Sequence, residues 1–397
     1  MSTSSLPSVT RHQALAHRLS VQGLATPAPA TRAKELDVWE LGLQESPAGS
    51  AALSLAARIR GGLAKVPALD DARSFTTVWG TRGAPLVLRN ADVAAFAQAL
   101  WPIDQADAVS RLAGNGQQLR KGGEDAIEAI RVTAKEMRAV VAKAKGPMTK
   151  GEVSEAVSKR LPEGYITWCR GCQAHHLGDQ LMRLAGFPAG LRLVPGASPA
   201  TLEPIPHWKA LPASPSPTGV ASLVAAYLHL YGPSSPGDVG AFLQTSAKAV
   251  KSVWDEDSLA EVSVDGTKAW LPSADLDALL DGPDEPAGSA GLDAESVRLL
   301  PRSDPWLLAR DRERIVPTAA HRKALWPAIG WPGAVLVDTE VVGTWRTKAT
   351  AKKAGTSLAI TVTEFESLPK PIRSAIESAA SDVAAQRDAL DHTVTFA

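Results

Sequence analysis

In the stretch WCRGCQAHH, Cys169 and Cys172 stand two residues apart and His175 and His176 follow, a C-x2-C-x2-H spacing of the kind that holds a metal ion. A structural zinc site wants a fourth ligand and usually a second, distant pair, and these are the chain's only two cysteines. The expectation is therefore no metal and no cofactor, with both thiols buried in a core. Two cysteines cannot staple a chain of 397 residues, which fits a reducing compartment. There is no G-x-S-x-G elbow, no P-loop and no G-x-G-x-x-G, and the GPMTKGE segment reads as a helix cap rather than a phosphate cradle.

The other chemistry on offer is anion binding. Lys and Arg together number 42, as do Asp and Glu, so any pull on a polyanion must come from local segregation. Segregation is sharp: residues 253–297 hold twelve acids against one base, and residues 298–353 hold eleven bases against five acids. A milder basic zone, ten bases to six acids, covers 120–160. Such runs are often plain solvated faces, so charge alone says where an anion would bind and not that one does. The N-terminus lacks the apolar core of a signal peptide and no apolar run spans a bilayer, so a cytoplasmic protein without membrane contact is expected.

The elements that would carry these residues can be read from caps, turns and periodicity. Seven prolines in 195–217 forbid continuous helix and suggest an extended linker or edge segment, and DGPDEPAGSA (281–290) reads as a loop. Between them GVASLVAAYLHLYG predicts a helix stopped by Gly232 and Pro233. Ser235-Pro236 opens a second helix, and Thr245 or Ser246 opens a third over SAKAVKSVW. That third helix should bury Ala247, Val250, Val253 and Trp254 and leave Lys248 and Lys251 outward, next to the repelling Asp255, Glu256 and Asp257. LAEVSVDGTKAWLP then alternates about Asp265-Gly266, a type I′ hairpin signal. Helix, helix, helix, hairpin is a winged helix.

A second such unit falls at 147–195. Thr149 and Glu152 make a capping box, and HHLGDQLMRLAGF is the candidate recognition helix, with Arg170, His175, His176 and Arg183 on or near it. A fainter first unit starts at Thr10-x-x-Gln13, continues through SAALSLAARIRG and ends on VWGTRGAPLVLR. The last hundred residues alternate as strands, with a final helix expected over Lys370 to His392. The expected fold is α+β: three tandem winged-helix units (1–115, 116–196 and 215–280) followed by a C-terminal β-rich domain (295–397).

Taken together, LGLQESPAGSAALSLAARI (41–59), WGTRGAPLVLRNAD (79–92), GPMTKGEVSEAV, WCRGCQAHH, LYGPSSPGDVGAFL, RLLPRSDPWLLARDRERIVP (298–317) and PGAVLVDTEVVGTWR (332–346) resemble one family. It is that of the bacterial winged-helix DNA glycosylases that unhook interstrand crosslinks and remove bulky N-alkylpurines, the AlkX and AlkZ type. The resemblance covers Arg11 to about Phe365 and implies tandem winged helices and a β domain around a DNA-sized cleft. The family's catalytic motif is Gln, an apolar residue, then Gln or Asp. The matching positions here are Gln44, Glu45 and Ser46, so the first amide is kept, the middle residue is acidic and the last is a short hydroxyl. The family's basic C-terminal motif implies DNA contacts at Arg298, Arg310, Arg312 and Arg346, with Arg82 of TRGAP a further phosphate candidate. Leu86 stands where a histidine is expected.

Hydrolysis of an N-glycosidic bond passes through an oxocarbenium-like sugar, which asks for a water held on the far face and for dipolar support of the ring. An N7-alkylated guanine is already cationic and leaves without a general acid, so the main task is to place one water. Gln44 is the residue expected to do so. Two readings from different classes remain open. One is a monomeric repair glycosylase acting on alkylated or crosslinked double-stranded DNA, nucleoid-associated when bound. The other is a winged-helix DNA-binding or regulatory protein whose catalytic motif has degenerated.

Overall fold

The computed structural model describes residues 6–209, 214, 216–284 and 293–397. Parts of both expected connections, 210–213 and 215 in one and 285–290 in the other, lie outside the described residues. Helices and strands are mixed along the whole chain, an α+β protein. By its contacts the chain divides into two units, each discontinuous in sequence: 1–68, 226–235 and 256–397 form one, 69–225 and 236–255 the other.

In the first unit the Thr10–Gln13 capping box starts helix Arg11–Val21 as expected, the hydroxyl accepting from the Gln13 amide and the Gln13 side chain accepting from the Thr10 amide. Strands Leu259–Val264 and Thr267–Pro272 form a hairpin about Asp265 and Gly266, both at positive φ, and Ser8–Val9 adds to it as a parallel third strand. Val9, Ala14, Val262, Val264, Ala269, Leu271 and Leu279 close over one face of that sheet.

A five-stranded sheet runs Arg298–Leu300, Gly333–Val337, Glu340–Lys352, Gly355–Glu364 and Ala389–Phe396, in spatial as in chain order. Helix Lys370–Gln386 lays Ile372, Ile376, Ala380 and Val383 across it, the i, i+4 spacing of one apolar stripe. The final helix expected to reach His392 stops at Gln386. Asp388 takes a positive φ, and Ala389–Phe396 becomes a strand parallel to Gly355–Glu364. His392, Val394 and Phe396 alternate with threonines, a period of two that decides the segment once the sheet offers it an edge.

Two buried ion pairs tie this unit together. Arg58 and Asp304 are both fully buried and joined by two hydrogen bonds of 2.7 and 2.8 Å. Arg58 also donates to the carbonyls of Gln22 and Ser54, while Asp304 accepts from the Trp306 amide and caps helix Pro305–Leu308. Arg18 grips Asp311 with both terminal nitrogens, at 3.1 and 2.8 Å, and donates to the Tyr231 carbonyl.

In the second unit, hairpin Phe75–Trp79/Pro85–Arg89 is followed by four helices, the longest being Ala126–Lys143. Then come strand Met148–Thr149, helix Lys150–Ser158 with the expected Thr149–Glu152 capping box, a hairpin Ile166–Cys169/Ala174–Leu177, and helix Asp179–Gly186. Strands Leu191–Leu193 and Thr201–Pro204 complete a small sheet, with Thr201–Pro204 in the middle. The proline-rich segment therefore supplies a central strand, which the sheet tolerates because Pro199 and Pro204 fall outside and at the end of its four residues. Trp79, Leu112, Ile130, Met137, Val153, Leu181 and Leu191 share one core. Helix Pro236–Leu243 follows Ser235-Pro236 as expected. Ser246 caps a helix shorter than expected, Ala247–Lys251, in which Val250 is buried, Ala247 is exposed, and Val253 and Trp254 lie beyond its end. Among the described residues no helix is long and apolar enough to cross a membrane.

Removing Asp304 strands a buried guanidinium. Asp304→Ala is expected to cost about 3–5 kcal/mol in urea unfolding, while the Arg58→Met/Asp304→Leu double variant, which leaves no lone charge, recovers most of that loss. A pH effect comes from His229, whose Nδ1 lies 2.7 Å from the Asp275 carboxylate. That hydrogen bond raises the His229 pKa from 6.5 to about 8, burial opposing it. A raised folded-state value stabilises fully below the unfolded pKa and is lost as pH rises through the folded one. Wild type should therefore lose up to about 2 kcal/mol as pH rises from below 6.5 to above 8, a loss that His229→Gln does not show, read as denaturation midpoints across that range.

Candidate DNA interface and catalytic site

The segment carrying Gln44 is shaped by its neighbours. A 3-10 helix Asp37–Leu41 buries Val38, Trp39 and Leu41, Gly42 turns at φ 70°, and strand Leu43–Gln44 buries Leu43 while leaving Gln44 half-buried. The bond Ser46–Pro47 is cis. Gly49 starts helix Ser50–Ala56 at φ 83°, a left-handed backbone that favours glycine, and a Cβ there would fall 1.6 Å from Nε2 of Gln386. The Glu45 carboxylate accepts from the amides of Gly49 and Ala51, two donors that the first turn of this helix leaves without intrahelical partners. Glu45 is thus neither a solvated side chain nor an inward base: its oxygens are committed to the start of that helix. Ser46 is half-buried beside it.

Ser303 donates to the Gln44 carbonyl at 3.4 Å, and the next residue is the buried Asp304. The RSDPWLLARDRERI motif is thereby fastened to the Gln44 segment at one end, and to Arg18 through Asp311 at the other. Asp304 and Asp311 are framework: Asp304 holds Arg58, and Asp311 holds Arg18 and Arg314.

Arg310 and Arg312 stand in the half-buried part of this motif beside aromatic rings. Arg310 donates its backbone N–H to the Tyr227 hydroxyl at 3.3 Å, but its buried Nε has no hydrogen-bond partner. Burial pushes its guanidinium pKa down, against the pull of Tyr227 and Tyr231. Arg312 lies over the rings of Trp326 and Trp331, at 4.8 and 5.0 Å, and is pushed down by burial and then by Arg310. Among the described residues neither arginine has a carboxylate within salt-bridge distance. Half-buried cations in an aromatic setting, uncompensated by any acid, are what a site for an external anion requires.

The remaining expected contacts divide. Arg346 is exposed on strand Glu340–Lys352 and available. Arg298 gives its terminal nitrogens to the carbonyls of Glu295, Val297 and Leu24, while its buried Nε has no hydrogen-bond partner and burial lowers its pKa. Arg82, at φ 60°, lies 4.9 Å over the Phe242 ring and donates to the Phe242 carbonyl, an internal packing role. Arg183 is held by Asp179, the Gly83 carbonyl and the Trp79 ring. Lys248 and Lys251 are exposed on their short helix. Leu86 is buried in strand Pro85–Arg89, a packing residue.

Arg170, His175 and His176 do not belong to a recognition helix. Helix Asp179–Gly186 begins after them, and the three sit on the preceding hairpin, Arg170 in its turn and both histidines on its second strand. Cross-strand pairing wins here because Trp168 opposite His175 and Thr167 opposite His176 give both strands partners. The thiols are not buried either: Cys169 is half-buried and Cys172 exposed. The Cys172 backbone N–H, then the His176 and Cys172 side chains, lower the Cys169 pKa to about 7. Sequence reasoning missed Tyr227, Tyr231, Trp326 and Trp331 as the setting of the arginines. Only the basic run itself signalled that region.

The sequence matches the model of the family described as "DNA glycosylase AlkZ-like" over residues 39–386. A search of curated proteins finds no match. Among solved structures the chain is similar to the Streptomyces sahachiroi DNA glycosylase AlkZ, with a TM-score of 0.71 and 22% identity over 98% of this chain and 100% of that one. The family match spans most of the sequence, including the Gln44 segment and the arginine motif, and the chain belongs to the AlkZ-like DNA glycosylase family.

Proposed function

We propose that this protein is a monofunctional DNA repair glycosylase that hydrolyses the N-glycosidic bond of N7- or N3-alkylpurines or crosslinked bases in double-stranded DNA, acting as a monomer. The observation that carries this reading is the pair Arg310 and Arg312, half-buried without a carboxylate, in the segment that Ser303 joins to the strand bearing Gln44. The arginines hold the phosphate backbone of the lesion strand. Gln44 orients the attacking water by its amide, and Ser46 adds a second, weaker dipole. No base is needed to make a strong nucleophile when the leaving purine is cationic and the sugar already carries oxocarbenium character. Arg346, Lys248, Lys251, Arg170 and His175 add phosphate contacts that position without specifying sequence.

The DNA-reading scaffold is three winged helices, with bounds at 1–115, 116–196 and 215–280, before the β-rich domain 295–397. Support is fullest for the second, which runs past residue 196: helix 126–143, strand 148–149, helices 150–158 and 179–186, and strands 191–193 and 201–204 follow the helix–strand–helix–helix–strand–strand order of that motif, with a hairpin inserted between its second and third helices. The third has its Ser235-Pro236 and Ser246 helix starts in the second unit and its Asp265-Gly266 hairpin in the first, so its pieces are expected local signals rather than one compact body. A second functional reading, DNA binding without hydrolysis, is favoured by the commitment of Glu45 to its helix and the loss of an amide or carboxylate at Ser46.

The deciding assay incubates wild type and Gln44→Ala with duplex bearing N7-methylguanine or a bulky N7 adduct, followed by base to cut abasic sites. Strand breaks from wild type, falling roughly 100-fold or more in Gln44→Ala, are the expected result; binding without breaks on either lesion selects the second reading. Arg310→Ala and Arg312→Ala should each weaken duplex binding on every sequence tested. Each should also flatten the slope of log K against log salt by about 0.9 for every phosphate the variant no longer neutralises, measured by fluorescence anisotropy.

A further inference from the structure

We propose that Cys169, Cys172 and His176 form a binding site for one soft divalent cation of the zinc class, built into the hairpin Ile166–Cys169/Ala174–Leu177, with solvent at the fourth coordination position. The register decides which histidine takes part. Cys169 pairs with Ala174 and Thr167 with His176, so by the alternation of strands Cys169 and His176 lie on one face of the hairpin. Trp168 and His175 lie on the other, with their rings 5.1 Å apart. The turn 170–173, closed by Gln173 at φ 51°, brings Cys172 back over the first face. The two sulfurs and a ring nitrogen of His176 all fall within 4.8 Å of one another. A tetrahedral zinc ion, with bonds of ~2.3 Å to sulfur and ~2.0 Å to nitrogen, needs its ligand atoms roughly 3.5–3.8 Å apart, a small contraction of what is already there.

A second, independent observation points the same way. His176 Nδ1 lies 2.8 Å from the Leu177 carbonyl, which places the ring proton on Nδ1 and leaves the lone pair on Nε2. Nε2 is buried and turned to the Cys169 thiol, the contact through which His176 lowers the Cys169 pKa. A backbone carbonyl holding one nitrogen while the other faces a thiol sulfur is the orientation a metal-ligating histidine shows. The face opens on a cavity of about 530 Å³ lined by Lys150, Ser154, Ser158 and Cys172 among others, which gives the fourth position access to water. Binding releases the two thiol protons to solvent, the sulfurs entering as thiolates and His176 as the neutral ring. The ion would pin the turn that displays Arg170.

The test uses the full chain, reduced and freed of metal by chelator, titrated with cobalt(II) alone and then with zinc(II) alone. The expected result is a thiolate-to-cobalt charge-transfer band that saturates at one equivalent and is bleached by one equivalent of zinc. Cys169→Ser, Cys172→Ser and His176→Ala should each abolish that band, while His175→Ala, one residue away on the opposite face, keeps it. Far-UV circular dichroism checks that each variant is folded. A wild-type titration without the band overturns the proposal, and so does a band that persists in Cys172→Ser or that depends on His175 rather than His176. None of these readouts involves base release, so the outcome stands apart from that of the glycosylase assay.

Discussion

The buried pair of Arg58 and Asp304 is the constraint around which the first unit is arranged. Two charges taken wholly out of water are tolerable only if each hydrogen-bonding position is met, and here it is: Arg58 reaches Asp304, Gln22 and Ser54, and Asp304 also caps the helix that follows it. Such a pair fixes position more than it adds stability. It sets where residue 303 lies against the Gln44 carbonyl and how the chain leaves toward residue 310. Asp311, gripped by Arg18, fixes the same stretch from the other side. Between these two clamps Arg310 and Arg312 have their backbone placed without either guanidinium being used for the purpose.

This division of labour clarifies a motif that looks uniformly basic. Of the arginines in 298–317, Arg298 and Arg314 give their terminal nitrogens to the protein's own carbonyls and carboxylates, while Arg310 and Arg312 are partly desolvated beside aromatic rings with no carboxylate in salt-bridge range. On the proposed function that desolvation has a purpose, because a polyanionic partner would supply the missing charge.

What could be read in the sequence was what is written within a few residues. The capping boxes at Thr10 and Thr149, the cap at Ser246, the Asp265-Gly266 turn and the long C-terminal strands all depend on local chemistry and stand where local reasoning puts them. The failures share a different cause. Residues 389–396 and the histidines of 175–176 are strands because another strand lies alongside, whereas the helical pattern next to each suggests helix. The ion pairs joining Arg58 to Asp304 and Arg18 to Asp311 link residues 246 and 293 positions apart, which no spacing rule can connect. The candidate site was legible in part. Gln44 and the basic motif came by likeness to a family, whereas the roles of Glu45, Arg82 and Arg298 depend on partners visible only in three dimensions.

Strand Ser8–Val9 pairs with Leu259–Val264, and the unit it belongs to is finished by residues 256–397. On a ribosome the first strand and helix to emerge must therefore wait through the synthesis of the whole second unit, whose own pieces all lie between residues 69 and 255. The inner segment can collapse while the outer one still lacks its partners, so the order of folding runs from the middle of the chain outward. Leu15, Leu41, Leu43 and Leu55 are buried in the completed unit. Until residues 256–397 are made, the segment 1–68 has its own contacts, among them Arg58 with Gln22 and Ser54, but neither Asp304 for Arg58 nor Asp311 for Arg18.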